Sequence, residues 1–362
     1  MADIVEAQQG ARGHLAYYKQ HGISPVRYRM ADLGEHFDRR DALYRTLGIA
    51  PVAFRSVRVL EVAPGSGQNS QFVAACQPAG LDLVEPNPSG LEQIESVFAN
   101  LDIPHTSPVI HRMTFEKFEA AEPFDIVLCE NWLGSLPNEI ALLEKLSRLV
   151  APGGAVVVTA VPYAGFFPNV MRKLLALRLS RPGDGFEEST DRLSAAFGSH
   201  LDTIDGMTRS PRDWIHDCML NPHYLNVALP FATVLSVFES NFEVLGTSPR
   251  LAADWRWFKR RAGADRGFNA DALAAERRNL HNFVDQRHVF PERDASENDR
   301  LANLFEAGYT NALAWQTAYL ETEPSAVAAA SEAIGITLDA LSEAMSELDT
   351  KLGAAFEELR EL

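Results

Sequence analysis

Two glycines, two acids and one polar cluster are the parts of this sequence whose types and spacing could do chemistry. Gly65 and Gly67 flank Ser66 directly after a β-branched apolar run, 57–62, that carries Glu61 near its end. Glycine tolerates a left-handed backbone and lets a ligand approach it closely. Gln68-Asn69-Ser70 can then open a helix whose free N–H groups face the turn. A second apolar run, 81–84, ends on Glu85, about where an α/β nucleotide fold offers a carboxylate to a ribose diol. Strand, Gly-x-Gly turn, helix, strand and acid together read as a nucleoside-binding βαβ unit. Much later, Arg212, Asp213, Trp214, His216, Asp217, Asn221, His223 and Tyr224 supply side chains able to hold or deprotonate an acceptor. If 212–219 is helical, Asp213, His216 and Asp217 share a face, and a His-Asp pair there is able to serve as a base. The bland alternatives are a chance glycine turn for the first group, and surface polar residues around a buried tryptophan for the second.

The glycine spacing also separates one nucleoside from another. A dinucleotide fingerprint wants glycine or alanine at Ser70, under a pyrophosphate. Instead, E-V-A-P-G-S-G at 61–67 resembles the first motif of the class I S-adenosylmethionine (SAM)-dependent methyltransferases. The resemblance spans roughly 40–262 and implies SAM as cofactor, with S-adenosylhomocysteine (SAH) as product. It implies Glu61, Ala63, Pro64, Gly65, Ser66, Gly67 and Asn69 at the methionine end, and Glu85 with Pro86 at the ribose. Phe115 would either lie against the adenine or pack in the core, and Thr114 or Glu116 would take the adenine amino group, although the run His111-Arg112-Met113-Thr114-Phe115-Glu116 matches imperfectly the many relatives that carry an acid just after the third strand. F-D-I-V at 124–127 resembles the family's fourth strand, and Glu130, Asn131 and Trp132 at its carboxyl end would face the methyl group or its acceptor. E-N-W-L stands where enzymes methylating DNA adenine or a release-factor glutamine carry N-P-P-Y or D-P-P-Y, which makes those acceptors a poor match.

To position these residues, the chain is expected to form a doubly wound α/β fold whose mostly parallel sheet has seven strands. Helices are expected over 3–20 and across a stretch whose apolar stripe is Leu33, Phe37, Leu43 and Leu47. Such a lead-in, 1–52, commonly covers the SAM pocket in the family. Tyr17, Tyr18, Tyr28, Arg29, Arg39 and Arg40 then either reach a ligand or form a solvated helix face with packing tyrosines. A helix over 138–150, a Pro152-Gly153-Gly154 turn and a fifth strand at 155–159 follow. A helix over 229–241 leads to a sixth strand at 242–246 and a seventh at 254–259, the last resting on the alternation of Trp255 and Trp257. The catalytic domain is placed at 53–262, with an insertion over 161–228 above the active site. A helical region, 263–362, closes the chain, with helices at about 269–287, 296–320, 324–333 and 337–361. Leu338, Leu341, Met345, Leu348, Leu352, Ala355 and Leu359 form an a/d seam that either packs within the chain or pairs two subunits as a homodimer.

Composition bounds the function. Among 362 residues, 46% are hydrophobic and 23% charged, the formal net charge is −16, and no stretch is apolar enough to cross a membrane. The acidic balance repels a phosphate backbone, so a small-molecule acceptor is expected, with no nucleic acid and no membrane as partner. Three unpatterned cysteines, Cys76, Cys129 and Cys218, argue against a disulfide framework and a zinc site, so no metal is expected. The amino terminus lacks a basic patch followed by an apolar stretch, so a cytoplasmic location is expected. The expected reaction is methyl transfer to a small molecule, O-methylation slightly favoured over N-methylation because a hydroxyl needs a base. His216 is the first candidate for that base, with Asp217, His223 and Glu130 after it. The competing classes are an NAD-linked oxidoreductase and a catalytically silent SAM-fold protein acting through its helical tail. The basic cluster Arg250, Arg256, Lys259, Arg260, Arg261 and Arg266 either attracts an anionic substrate or forms a solvated edge.

Overall fold

The computed structural model describes residues 13–30, 32–134, 137–181, 183–204, 206–285 and 287–362. The first part of the expected 3–20 helix therefore lies outside the described residues, and a helix runs over Gly13–His21. Two compact units divide the chain. One draws on 1–160, 190–227 and 233–250, the other on 161–189, 228–232 and 251–362. The span 161–228, read from the sequence as one insertion, is thus shared between them.

The first unit is built on a parallel sheet of β1 (Arg58–Val62), β2 (Gly80–Val84), β3 (Val109–His111), β4 (Phe124–Cys129) and β5 (Val150–Val158), in the order β3-β2-β1-β4-β5. The βαβ alternation of the sequence forces this arrangement, because parallel neighbours need a crossover helix between them. The crossovers are Gln68–Ala75, Pro88–Ala99 and Pro137–Arg148. Val59, Leu60, Leu81, Leu83, Val127 and Leu128 are fully buried, as strands covered on both faces must be. Leu91 and Ile94 of the second crossover helix are buried as well.

The sheet has five strands among the described residues, which corrects the expected seven. The 242–246 segment forms no strand and runs past the end of the Leu33–Thr46 helix. There a Cβ on Gly246 would lie 2.6 Å from the Leu47 carbonyl. The 254–259 segment is held instead by its own side chains. Asp254 accepts from the Arg256 N–H at 2.7 Å and from its guanidinium, a local bond that competes with a strand ladder. Trp255 and Trp257 both stand in solvent, so their alternation marks no buried face. The expected Pro-Gly-Gly turn is absorbed into β5 as an irregularity between Phe124 and Ile126 of β4, and Gly154 passes so near the Asp125 carbonyl that a Cβ would sit 2.5 Å from it.

The second unit is helical. Phe167 of the helix Tyr163–Leu179 packs edge-on against Phe305 of the helix Ala295–Leu320 and near Phe356 of the last helix, Thr350–Glu361. Gly335 does not break its helix, which runs unbroken over Pro324–Ser346; a Cβ at Gly335 would meet Arg360 of the last helix. The break falls at 347–349, where the Asp349 side chain caps the final helix. Leu338, Leu341 and Met345 of the expected seam are buried, covered inside this unit. No helix of the described residues is long and apolar enough to cross a membrane.

Candidate active site

The glycine turn closes at the carboxyl end of β1, the position where open α/β sheets bind ligands. Gly65 and Gly67 have φ of +60° and +73°, in the left-handed region that disfavours side chains. Both are also crowded: a Cβ on Gly67 would lie 2.9 Å from Ile94 Cγ1, and one on Gly65 would lie 2.4 Å from Val26 Cγ2. Ala63 shares the left-handed backbone, with φ of +54°, while Asn69 and Ser70 begin the crossover helix. At the end of β2, the Glu85 carboxylate accepts from the Gly65 N–H at 3.2 Å and from the Asn87 N–H at 2.7 Å. The structure therefore brings the turn and the distant acid together, as the spacing required.

Val26 belongs to the segment between the Gly13–His21 and Leu33–Thr46 helices. Residues 23–30 are tied to the turn at two points. Gln68 accepts from the Tyr28 N–H at 2.6 Å and donates to the Tyr28 carbonyl at 3.0 Å, and Asn87 donates to the Ile23 carbonyl at 3.0 Å. The same segment is tied to the 208–217 stretch through Arg29 N–H to the Thr208 carbonyl and Arg209 to the Pro25 carbonyl. A cavity of about 310 Å³ lined by Arg27, Tyr28, Arg29, Met30 and Asp213 opens beside it.

The helix Leu33–Thr46 turns a polar stripe inward, against the expected apolar one. His36, Arg40 and Tyr44, four residues apart, are buried, whereas Leu33, Phe37, Leu43 and Leu47 are half-buried. Tyr44 stacks on Phe72, which fixes the helix against the crossover after the glycine turn. Arg40, only 7% exposed, reaches Glu130 beyond β4 with two nitrogens, at 2.9 and 2.6 Å, and the Tyr44 hydroxyl adds a third bond at 3.0 Å. The bland reading of this helix thus holds for exposed Arg39 and fails for Arg40. Glu61 lies nearby, and burial pushes its carboxyl up to about 7, tempered by the Ser70 hydroxyl and raised further by Glu130. The sequence signal was available: a cationic and an aromatic side chain at i and i+4 on the buried side of a lead-in helix.

The remaining expected contacts are spread around this edge. Phe115 is buried, meets Trp132 edge-on at 5.9 Å, and carries the Lys145 ammonium 5.3 Å above its ring. Thr114 precedes the short turn that holds Phe115. Asn131 has φ of +53° and donates its N–H to the Thr159 hydroxyl at 3.1 Å.

The polar cluster does not converge on one helical face. After a single α-turn, Pro211–Trp214, the chain widens into a π-helical turn over Ile215–Leu220, which rotates the three side chains apart. Asp213 meets the Ser210 hydroxyl, the buried His216 ring lies 3.1 Å from the Thr190 hydroxyl, and Asp217 Oδ2 accepts from both terminal guanidinium nitrogens of Arg209 at 2.7 and 3.0 Å. Tyr18 also bonds Asp217, and the Tyr17 hydroxyl donates to the His216 carbonyl at 2.9 Å. His223 packs against Gly13, whose missing side chain makes room for the ring. Burial pushes the Cys218 thiol beside Arg209 up to about 12. The Gly13–His21 helix is therefore the partner of this cluster, a pairing across some 200 residues that no local pattern encodes.

Buried polar atoms left over at the first cluster suit a charged, bifunctional ligand. Among the described residues Glu61 Oε2, Asn87 Oδ1 and Arg40 Nε are buried without a hydrogen-bond partner, a costly arrangement that a ligand offering both donors and acceptors would relieve. An amino acid end with ammonium and carboxylate, joined to a ribose diol, fits Glu61 and Arg40 on one side and Glu85 on the other.

A family model described as a methyltransferase domain matches residues 34–185, and this segment is a class I SAM-dependent methyltransferase domain, with SAM as its cofactor. Among curated proteins, the ubiquinone biosynthesis O-methyltransferase of Xylella fastidiosa is 25% identical over 170 residues, 44% of this chain and 68% of the relative. Among solved structures, the CcbJ methyltransferase of Streptomyces caelestis is 22% identical with a TM-score of 0.31, covering 35% of this chain; the match spans about half, 51%, of that protein. The N-methyltransferase NodS of Bradyrhizobium japonicum, in complex with SAH, is 18% identical with a TM-score of 0.32, over 41% of this chain and 74% of that one.

Proposed function

We propose that this protein transfers a methyl group from SAM to a small-molecule acceptor, with a hydroxyl favoured over a nitrogen. The observation that carries the reading is the left-handed glycine turn bonded to the Glu85 carboxylate, beside a buried Glu61 that lacks a partner on Oε2. When bound, SAM supplies an electrophilic methyl carbon whose bond to sulfur is exchanged for one to the acceptor. The chain's own work is positioning, which accounts for roughly 7–11 kcal/mol of barrier lowering when reacting atoms are held in line. In this reading Glu85 holds the ribose hydroxyls with Pro86 beside it, and the backbone of Ala63, Pro64, Gly65, Ser66, Gly67 and Asn69 borders the methionine end. Thr114 and Phe115 meet the adenine, and Glu130, Asn131 and Trp132 border the transferred methyl.

Acceptor recognition falls to the 190–227 segment and the helix Gly13–His21. His216 takes the acceptor proton, its ring orientation supported by the Thr190 contact. Asp217 is better suited to holding structure than to accepting a proton, since Arg209 and Tyr18 both occupy it, and Glu130 is likewise committed to Arg40. The hydroxyl preference follows from placing a base near the acceptor, and the named O-methyltransferase relative leans the same way. A cytoplasmic setting without a nucleic-acid partner completes the reading. Incubation with methyl-labelled SAM and a panel of phenols, catechols and amines tests it. Label transferred to a hydroxyl is expected; SAH binding without turnover on any acceptor would overturn it in favour of a binding protein, and binding of NADH but not SAM would remove the cofactor assignment as well.

A further inference from the structure

The second unit displays a tip that its own fold leaves uncovered. Trp255 is 96% exposed, Trp257 63% and Phe258 71%, three large aromatic rings within four residues. They are held out by a staple at their base. Asp254 binds the Arg256 guanidinium at 2.6 Å and pairs with Arg261, while Arg256 also reaches Asp271 of the helix Phe268–Asn279. Arg261 lies 4.4 Å over the Phe268 ring. Two of the segment's cations are thus spent on structure. Lys259 and Arg260 remain on the exposed turn, with the Lys259 ammonium 4.9 Å from the Trp257 ring centre.

The geometry points to an anionic bilayer surface as the partner of this tip: we propose that Trp255, Trp257 and Phe258 insert among lipid head groups while Lys259 and Arg260 meet their phosphates. Two observations select this occupant. The tip is basic in a chain of net charge −16, so it is the local exception that an anionic surface would attract and orient. Three rings, at about 150–250 Å² each, also fall short of the roughly 800 Å² per side of a stable protein interface. Amphipathic rings flanked by Lys and Arg are instead the usual composition of interfacial anchors. This would be attachment to a membrane surface without a spanning helix.

Sedimentation of the full chain with vesicles tests the proposal. Binding is expected to vesicles of equal parts phosphatidylcholine and phosphatidylglycerol, with a blue shift of tryptophan emission and weakening at high salt, and little binding to phosphatidylcholine alone. Replacing Trp255, Trp257 and Phe258 together by Ser should lower partitioning by about tenfold or more, and Lys259→Glu with Arg260→Glu should erase the preference for anionic lipid. The melting temperature and SAH affinity of both variants should match wild type, which separates anchoring from misfolding. No binding to either vesicle, or partitioning unchanged in the aromatic variant, would overturn the proposal. So would a wild-type dimer that the aromatic variant dissolves, because the tip would then be covered by a second copy.

Discussion

Gln68 holds the main chain of Tyr28 from both sides, accepting from its N–H at 2.6 Å and donating to its carbonyl at 3.0 Å. A buried side-chain amide thus stands in for a strand partner and fastens residues 23–30 against the glycine turn. Gln68→Ala leaves two main-chain groups to find other partners, and about 1–3 kcal/mol of stability should be lost. SAH should also dissociate faster, since the segment borders the cofactor turn. Denaturant melts and stopped-flow release measure the two effects; a destabilised variant with wild-type release would limit the segment to a structural role.

Gly67 faces two obstacles to any side chain, its φ of +73° and Ile94 Cγ1 at 2.9 Å. Gly67→Val should abolish SAH binding in calorimetry and lower the melting temperature. Adding Ile94→Ala relieves the contact but not the backbone strain, which costs about 1–3 kcal/mol at such a position. The double variant should therefore still bind poorly, and restored affinity would show that Ile94 alone dictates the glycine.

Glu85 accepts two backbone N–H groups and, in our reading, the ribose hydroxyls. Charge-assisted bonds of that kind are worth about 1.5–3 kcal/mol each. Glu85→Ala should weaken SAH binding at least tenfold. A 2′-deoxy analogue, which loses one of the two hydroxyls, should bind wild type more weakly than SAH does but more tightly than SAH binds the variant; equal binding of both ligands by wild type would count against the ribose role.

Glu61 sets a pH dependence. Its carboxyl is raised from 4.5 to about 7 by burial, so between those values the folded chain holds a proton that the unfolded chain has lost. Stability should accordingly decline as pH rises from about 4.5 to 7 and level off above, by on the order of 3 kcal/mol from this group. A cationic ligand group beside Glu61 favours the ionised form, so SAH affinity should rise over the same window with proton release. Glu61→Gln should flatten both profiles, and an unchanged affinity profile in that variant would place the titrating group elsewhere.

His216 separates catalysis from architecture. As a base, its replacement by Ala should cut turnover by about 10²–10⁴-fold while SAM affinity and melting temperature hold. Its 7% exposure and Thr190 contact set up the opposite outcome, lost stability with acceptor and SAM binding falling together. Full turnover at full stability would leave His223, Asp217 or positioning alone.

The glycine turn and the acid that meets it were legible because their parts are local. A glycine turn, an apolar run and an acid at fixed spacing are dictated by backbone sterics and by the crossover that parallel strands require, so residues 57–85 carried Gly65, Gly67 and Glu85 without help from the rest of the chain. What only the tertiary structure decided involves partners far apart in sequence. Arg40 is buried because Glu130, ninety residues on, neutralises it. The polar face of the Leu33–Thr46 helix turns inward for the same reason, and Asp217 is committed because Arg209 and Tyr18 converge on it. The missing strands teach the same lesson: Trp255 and Trp257 alternate as a strand would, but alternation forms a ladder only where a sheet edge accepts it, and Asp254 and Asp271 claim the neighbouring arginines first.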